Sequence, residues 1–216
     1  MHMNLPVYPE VDKIKNIVSN SQKVVIVQAD NPDVDSMASA LALEEILSTQ
    51  DKEAVLYCGV SIPTYLQYLP GVDRVVNELP NNFDASIIVD TSSLSLLEQL
   101  NKNGGRAWLA AKPCIVLDHH ATKATIDFAN VLCGPQAVAT GEVVYELARQ
   151  IGWVLSIESK KLITSAILGD SLGLMTADTT PRSITIIAEL VEAGVSLPDL
   201  ENIRRETMRR DPELIH

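Results

Sequence analysis

An apolar run, Cys114-Ile115-Val116-Leu117, ends in Asp118-His119-His120, one carboxylate followed by two imidazoles. Bounded by Pro113, the run predicts a short buried strand, and strand propensity gives no reason for Asp-His-His directly after it. Buried and unpaired, such a cluster would be costly. A divalent cation removes that cost, and carboxylate oxygen together with imidazole nitrogen suits manganese, zinc or iron better than calcium. The plain alternative is a surface loop in which an aspartate caps a pair of histidines, and the motif alone does not choose between the two.

Other carboxylates fall at comparable places. Residues 23–29, with Val24-Val25-Ile26-Val27 at their centre, read as a buried strand that runs into the turn Asp30-Asn31-Pro32-Asp33-Val34-Asp35-Ser36. A helix is expected from Ser36 to about Leu47, capped by Ser36 or Asp35. Residues 85–90 repeat the pattern, since Ile87-Ile88-Val89 leads directly into Asp90. In the helix predicted over 159–172, Ile163, Ala166, Ile167 and Asp170 share a face, so Asp170 prolongs an apolar stripe where a solvated carboxylate is out of place.

The elements that must position these residues follow from the same patterns. Continuous apolarity without polar alternation favours a parallel sheet covered on both faces. Further strands are expected at 53–58 and, more weakly, at 126–132, with helices at 9–20, 63–69, 93 to about 100, 140–151 and 183–193. Gly104-Gly105 breaks the third of these helices, and in the last Ile184, Ile187, Ala188 and Val191 are expected to face inward. Strands alternating with helices predict an α/β fold of three layers, a mostly parallel sheet with helices on both faces. In that architecture the carboxyl ends of the strands share one edge, where ligands bind. Asp33, Asp35, Asp90, Asp118, His119 and His120 would then meet on one rim.

Two adjacent cations, about 3.5 to 4 Å apart, form a clamp for in-line phosphoryl displacement. Asp33 and Asp35, two residues apart in a tight turn, could each serve one of them, Asp90 could bridge, and His119 and Asp170 would complete the shell. His120 is then free to hydrogen-bond a phosphate oxygen, with Asp118 orienting an imidazole. Either aspartate of the turn, taken alone, reads better as a capping or turn residue. Their appearance together with Asp90, Asp118-His119-His120 and Asp170 favours the metal site. Lys123, Arg182 and the arginines near the end read as solvated surface, although each could reach a phosphate. Cys114 lies inside its strand, which argues against a nucleophilic cysteine, and Ser92 and Ser93 have no histidine at a local spacing that would make a serine triad.

With 216 residues the chain can bury one large core, and its 46% hydrophobic content is that of a globular protein. A net charge of −11 disfavours long duplex nucleic acid, which is bound through phosphate neutralisation, but admits small anionic substrates whose charge a metal ion meets locally. Cys58, Cys114 and Cys133, odd in number and set in apolar stretches, suit a reducing compartment. No window approaches a membrane-spanning run and Met1-His2-Met3-Asn4 lacks signal-peptide features, so a cytoplasmic location is expected. From Pro198 the composition turns polar, and Arg204, Arg205, Arg209 and Arg210 predict a basic helical tail. Residues 1–197 are accordingly expected to form the domain, and 198–216 a polar tail or the start of a linker.

Taken in order, Asn31-Pro32-Asp33-Val34-Asp35-Ser36, Val89-Asp90-Thr91, Leu117-Asp118-His119-His120, Ala139-Thr140-Gly141-Glu142 and Gly169-Asp170-Ser171 resemble the motifs of the DHH phosphoesterases. The resemblance runs from Lys23 to about Asp199. The family includes RecJ-like exonucleases, nano-RNase and phosphoadenosine-phosphate phosphatases, cyclic-dinucleotide phosphodiesterases and family II inorganic pyrophosphatases. The resemblance implies a di-manganese site in which Asp33 holds one ion, Asp35, His119 and Asp170 hold the other, and Asp90 bridges them. It implies catalytic roles for Asp90, Asp118 and His120, with Asn31, Ser36 and His120 binding substrate. The expected activity is hydrolysis of phosphodiester or phosphomonoester bonds in short single-stranded oligonucleotides or small nucleotides. The alternatives are a pyrophosphatase-like hydrolase or a weakened nucleotide-binding module, and a homodimer is left open. Two departures stand out. Ala29 occupies the position of a family histidine that binds the first ion, so that site is expected to be weak unless Asp30 or Asn31 substitutes. Relatives also continue into a DHHA1-type C-terminal domain, which is expected to be mostly or wholly absent from this chain.

Overall fold

The computed structural model describes residues 7–210. Five strands, β1 (Lys23–Val27), β2 (Glu53–Tyr57), β3 (Ala85–Val89), β4 (Cys114–Leu117) and β5 (Val131–Cys133), form one sheet in the order β2-β1-β3-β4-β5. Every adjacent pair is parallel. The residues of β3 and β4 are all buried, which accounts for sequences that are apolar but for Ser86. The chain leaves β1 toward β2 on one side and places β3 on the other. The gap between β1 and β3 is therefore the topological switch point, where such sheets bind ligands.

The helices are α1 (Val11–Ser19), α2 (Val34–Ser48), α3 (Glu98–Lys102), α4 (Gly105–Ala110), α5 (Thr140–Ile151), α6 (Ile157–Asp170), α7 (Pro181–Glu192) and α8 (Leu197–Arg210). Helices do cover both faces, but unequally. On one side α2 and α5 pack on the sheet, and α6 packs across both of them as a further layer. Being enclosed between sheet and helix, α2 is apolar around most of its circumference, with Met37, Ala38, Ala40, Leu41, Leu43, Ile46 and Leu47 all buried. On the other side Leu97, Leu100 and Leu109, contributed by α3, α4 and their approach, close over Val25, Val27, Ile88 and Val116.

Several local expectations are corrected. Asp33 rather than Asp35 or Ser36 caps α2, accepting the Ser36 amide at 2.9 Å, while the Ser36 hydroxyl receives the Asp33 amide at 2.9 Å. This reciprocal box needs an acceptor three residues before Ser36, and Asp33 is the acceptor at that spacing. Gly104 does break the helical run, taking the left-handed conformation, φ 75°, just after α3, but the chain resumes at once as α4 from Gly105. The weak strand is shorter and later than predicted, ending at Cys133. In α7 the inward face is Ser183, Ile186, Ile187 and Leu190, whereas Ile184 and Val191 are exposed. Two apolar stripes overlap in that run, and packing against α6 selects the one centred on Ile186 and Leu190. No helix among the described residues is long and apolar enough to cross a membrane.

Candidate metal centre

The register of the sheet brings the site together. Val89 pairs with Leu117, so Asp90 and Asp118 leave neighbouring strands at one level, and the next ladder bonds, Asp90 amide to Leu117 carbonyl and Asp118 amide to Cys133 carbonyl, keep them there. Asp90 then turns into the left-handed region at φ 59°, a conformation Asp tolerates better than a β-branched residue. From the other face of the switch point, the start of α2 supplies Asp35, and the last residue of α6 supplies Asp170.

His119 Nε2 lies at the centre. It is 3.7 Å from Asp35 Oδ2, 3.5 Å from Asp90 Oδ1 and 3.5 Å from Asp170 Oδ2. These separations exceed a hydrogen bond, so the groups converge without bonding one another. The other ring nitrogen, Nδ1, is 3.1 Å from the Ala137 carbonyl, which can only accept. Nδ1 therefore carries a proton, and Nε2 faces the three carboxylates. Two groups of ligating atoms each lie within 4.8 Å of one another, Asp35 with His119 and Asp170, and Asp90 with His119 and His120. His119 belongs to both.

The electrostatics show what this arrangement lacks. Burial raises the Asp90 carboxyl, and the neighbouring charges of Asp35 and Asp33 raise it further. Asp35 is also raised by burial, although His119 and the amides of Thr140 and Gly141 oppose the shift. Asp170 is raised for the same first reason, again against the pull of His119. Three carboxylates held above their ordinary range around one imidazole nitrogen are a donor set suited to a divalent cation of borderline hardness, whose charge would remove the penalty. The residues present fit such an ion.

Asp118 and His120 form a second unit. Asp118 Oδ1 accepts from His120 Nδ1 at 2.7 Å and from the His120 amide at 3.2 Å. Burial pushes the Asp118 carboxyl up, but hydrogen bonds from the His120 ring, the Ser92 hydroxyl and the His120 amide outweigh it, leaving the group below the ordinary range. The bond to Asp118 in turn raises His120, whose side chain is 49% exposed at the mouth of the site. The result is a half-exposed imidazole, held above its ordinary range, beside the carboxylate cluster.

The remaining expected site residues are placed differently. Asp33 is exposed and spends Oδ1 on the α2 cap, and it belongs to neither ligating group. Ser36 is buried with its hydroxyl in that cap, and Asn31 is exposed on the rim. Asp30 does not stand in for the missing histidine, because its carboxylate turns away to accept the Gln99 amide of α3 at 2.9 Å. Arg182 is committed to Glu146 and Glu189 rather than to a phosphate. What the motif reading left without a role is the entry to α5. Ala139 provides no side-chain cap there, and Asp35 replaces it by accepting the Thr140 and Gly141 amides at 2.6 and 3.0 Å. An uncapped predicted helix that starts Thr-Gly was the available signal.

Comparison with known proteins places this geometry. The model of the DHH family, N-terminal domain, matches residues 23–172. The chain is 28% identical over 173 residues to the bifunctional oligoribonuclease and PAP phosphatase NrnA of Thermus thermophilus, covering 79% of this chain and 50% of that protein. It is 25% identical over 183 residues to the protein of the same name from Bacillus subtilis, covering 82% and 55%. The chain thus spans about half the length of the curated relatives it matches. Among solved structures, an exopolyphosphatase-related protein from Bacteroides fragilis aligns with a TM-score of 0.81 at 22% identity, over 90% of this chain and 59% of that one, a likeness of fold.

Proposed function

The chain belongs to the DHH family, and from that premise we propose that it is a manganese-dependent phosphoesterase acting on short oligonucleotides or small nucleotides. The observation that carries the proposal is the convergence of Asp35, Asp90 and Asp170 on Nε2 of His119 at the switch point of a parallel sheet. Asp35, His119 and Asp170 hold one ion in this reading, and Asp90 reaches both that ion and a second one. The second relies on Asp33 and is the weaker, since Ala29 supplies no ligand and Asp30 is engaged elsewhere. Cations held there supply Lewis acidity toward a phosphate oxygen and toward water. His120, whose proton affinity the bond to Asp118 raises, donates to a phosphate oxygen of the substrate, and Asn31 lies on the rim where the substrate enters. Relatives named as oligoribonuclease and PAP phosphatase support the nucleotide class of substrate. The domain is taken as residues 1–197, with 198–216 as a polar tail, although α8 continues through that boundary and Leu200 packs against the larger core.

The test is hydrolysis by the full chain, with and without Mn2+, of a diribonucleotide, adenosine 3′,5′-bisphosphate and inorganic pyrophosphate. Manganese-dependent turnover of either nucleotide is the expected result. Turnover of pyrophosphate alone would move the chain to pyrophosphatase-like chemistry, and bound manganese without turnover of any of the three would make it a nucleotide-binding module.

A further inference from the structure

One short segment touches three of the converging side chains. The Ala137 carbonyl fixes His119 Nδ1, the amides of Thr140 and Gly141 hold Asp35, and the Thr140 hydroxyl donates to Asp90 Oδ1 at 2.9 Å. These partners arrive from β4, α2 and β3, so chain connectivity does not set their spacing. The segment can set it because it is itself immobilised. Glu142 accepts the Val138 amide, and Gly141 packs so closely under α6 that an added Cβ would lie 2.5 Å from the Ala166 Cβ. Thr140 is fully buried, so its hydroxyl bond to Asp90 is protected from competing water.

We propose that Thr140 is a positioning residue for the metal centre, its hydroxyl aiming Asp90 while its amide holds Asp35, so that one residue fixes the two buried carboxylates on either side of His119 Nε2. The proposal rests on the metal-centre reading of the site. A threonine suits the task for two reasons. Its β-branched side chain has few rotamers, which holds the hydroxyl in one direction. The positive end of α5 favours the Asp35 carboxylate that its amide receives. The oxygen that the hydroxyl engages, Oδ1, is the one that lies 3.5 Å from His119 Nε2.

The test uses the chelator-stripped full chain, with Mn2+ affinity measured by titration calorimetry and the metal-free melting temperature measured alongside. Thr140→Val keeps the shape and the amide but removes the donor, and Mn2+ affinity should fall about 10- to 100-fold, the usual cost of losing such an outer partner. Thr140→Ser restores the donor and should bind within about threefold of the parent, far inside that loss. If Thr140→Val does not fold, Thr140→Ala makes the same comparison with less steric demand. Two results overturn the proposal while leaving the metal centre intact. One is a parent and a donor-less variant that bind Mn2+ equally well. The other is a Thr140→Ser protein that binds as weakly as Thr140→Val. A parent that binds no Mn2+ removes the metal-centre reading and the role of Thr140 together.

Discussion

Ionised Asp90 carries a cost that a cation would relieve, and the cost has a definite pH dependence. Its carboxyl is raised by burial and by Asp35 and Asp33, so the folded chain holds this proton to higher pH than the unfolded chain does. The associated stability is complete below the ordinary carboxyl value of about 3.9 and is lost as pH rises toward the folded value. Metal-free Asp90→Asn should therefore melt above the metal-free parent at pH 8, with the gap closing toward pH 4, each kcal/mol relieved being worth about 2–4 °C. With saturating Mn2+ the order should reverse and activity should be lost, because an amide cannot replace the charge. Scanning calorimetry across pH, with and without metal, checks both statements. At the mouth, His120 is raised chiefly by its bond to Asp118, so its contribution is full below about 6.5 and fades as pH rises through the folded value. In the metal-free protein, Asp118→Asn should bring the His120 titration, followed by ring-proton NMR, down toward 6.5. The histidines were legible because they break a strand pattern. The use of Asp33 was not, since a capping aspartate and a ligand aspartate look alike until the helix boundary is known.

At the level of elements, the site depends on how closely α2 and α6 approach. Gly169, next to Asp170, faces Val34, next to Asp33 and Asp35, and a Cβ added at Gly169 would lie 2.7 Å from Val34 Cγ1 and 2.9 Å from its Cβ. Val34 Cβ cannot rotate away, so Gly169→Ala must separate the helices. Overpacking of this kind typically costs about 1–3 kcal/mol. A fall in the urea midpoint of that size, accompanied by weaker Mn2+ binding, is the expected outcome, and unchanged values of both would show that the helix contact is soft. The strands and most helices could be read from apolar periodicity, and the parallel sheet from strands without alternation. The face chosen by α7 could not, because Ile184, Ile186, Ile187, Leu190 and Val191 support two stripes and only the position of α6 decides. Nor could the bracing of Asp35 by the start of α5, which joins residues 105 and 106 positions apart.

Over the whole molecule, two buried carboxylates, Asp35 and Asp90, with the exposed Asp170 beside them, and a net charge of −11 both favour cation uptake. Mass action then makes the folded state metal-dependent, and Mn2+ at a hundredfold its dissociation constant should stabilise the chain by about 2.7 kcal/mol. Substitutions far from the rim leave that increment untouched, whereas any change at His119 removes it, because both ligating groups share this one imidazole. Paramagnetic resonance of free Mn2+, titrated with the chelator-stripped parent and with His119→Ala at equal concentration, tests the metal centre most directly. The parent should deplete the free-ion signal saturably and the variant should not. A parent that depletes it no more than His119→Ala would contradict the assignment of this cluster as a metal centre.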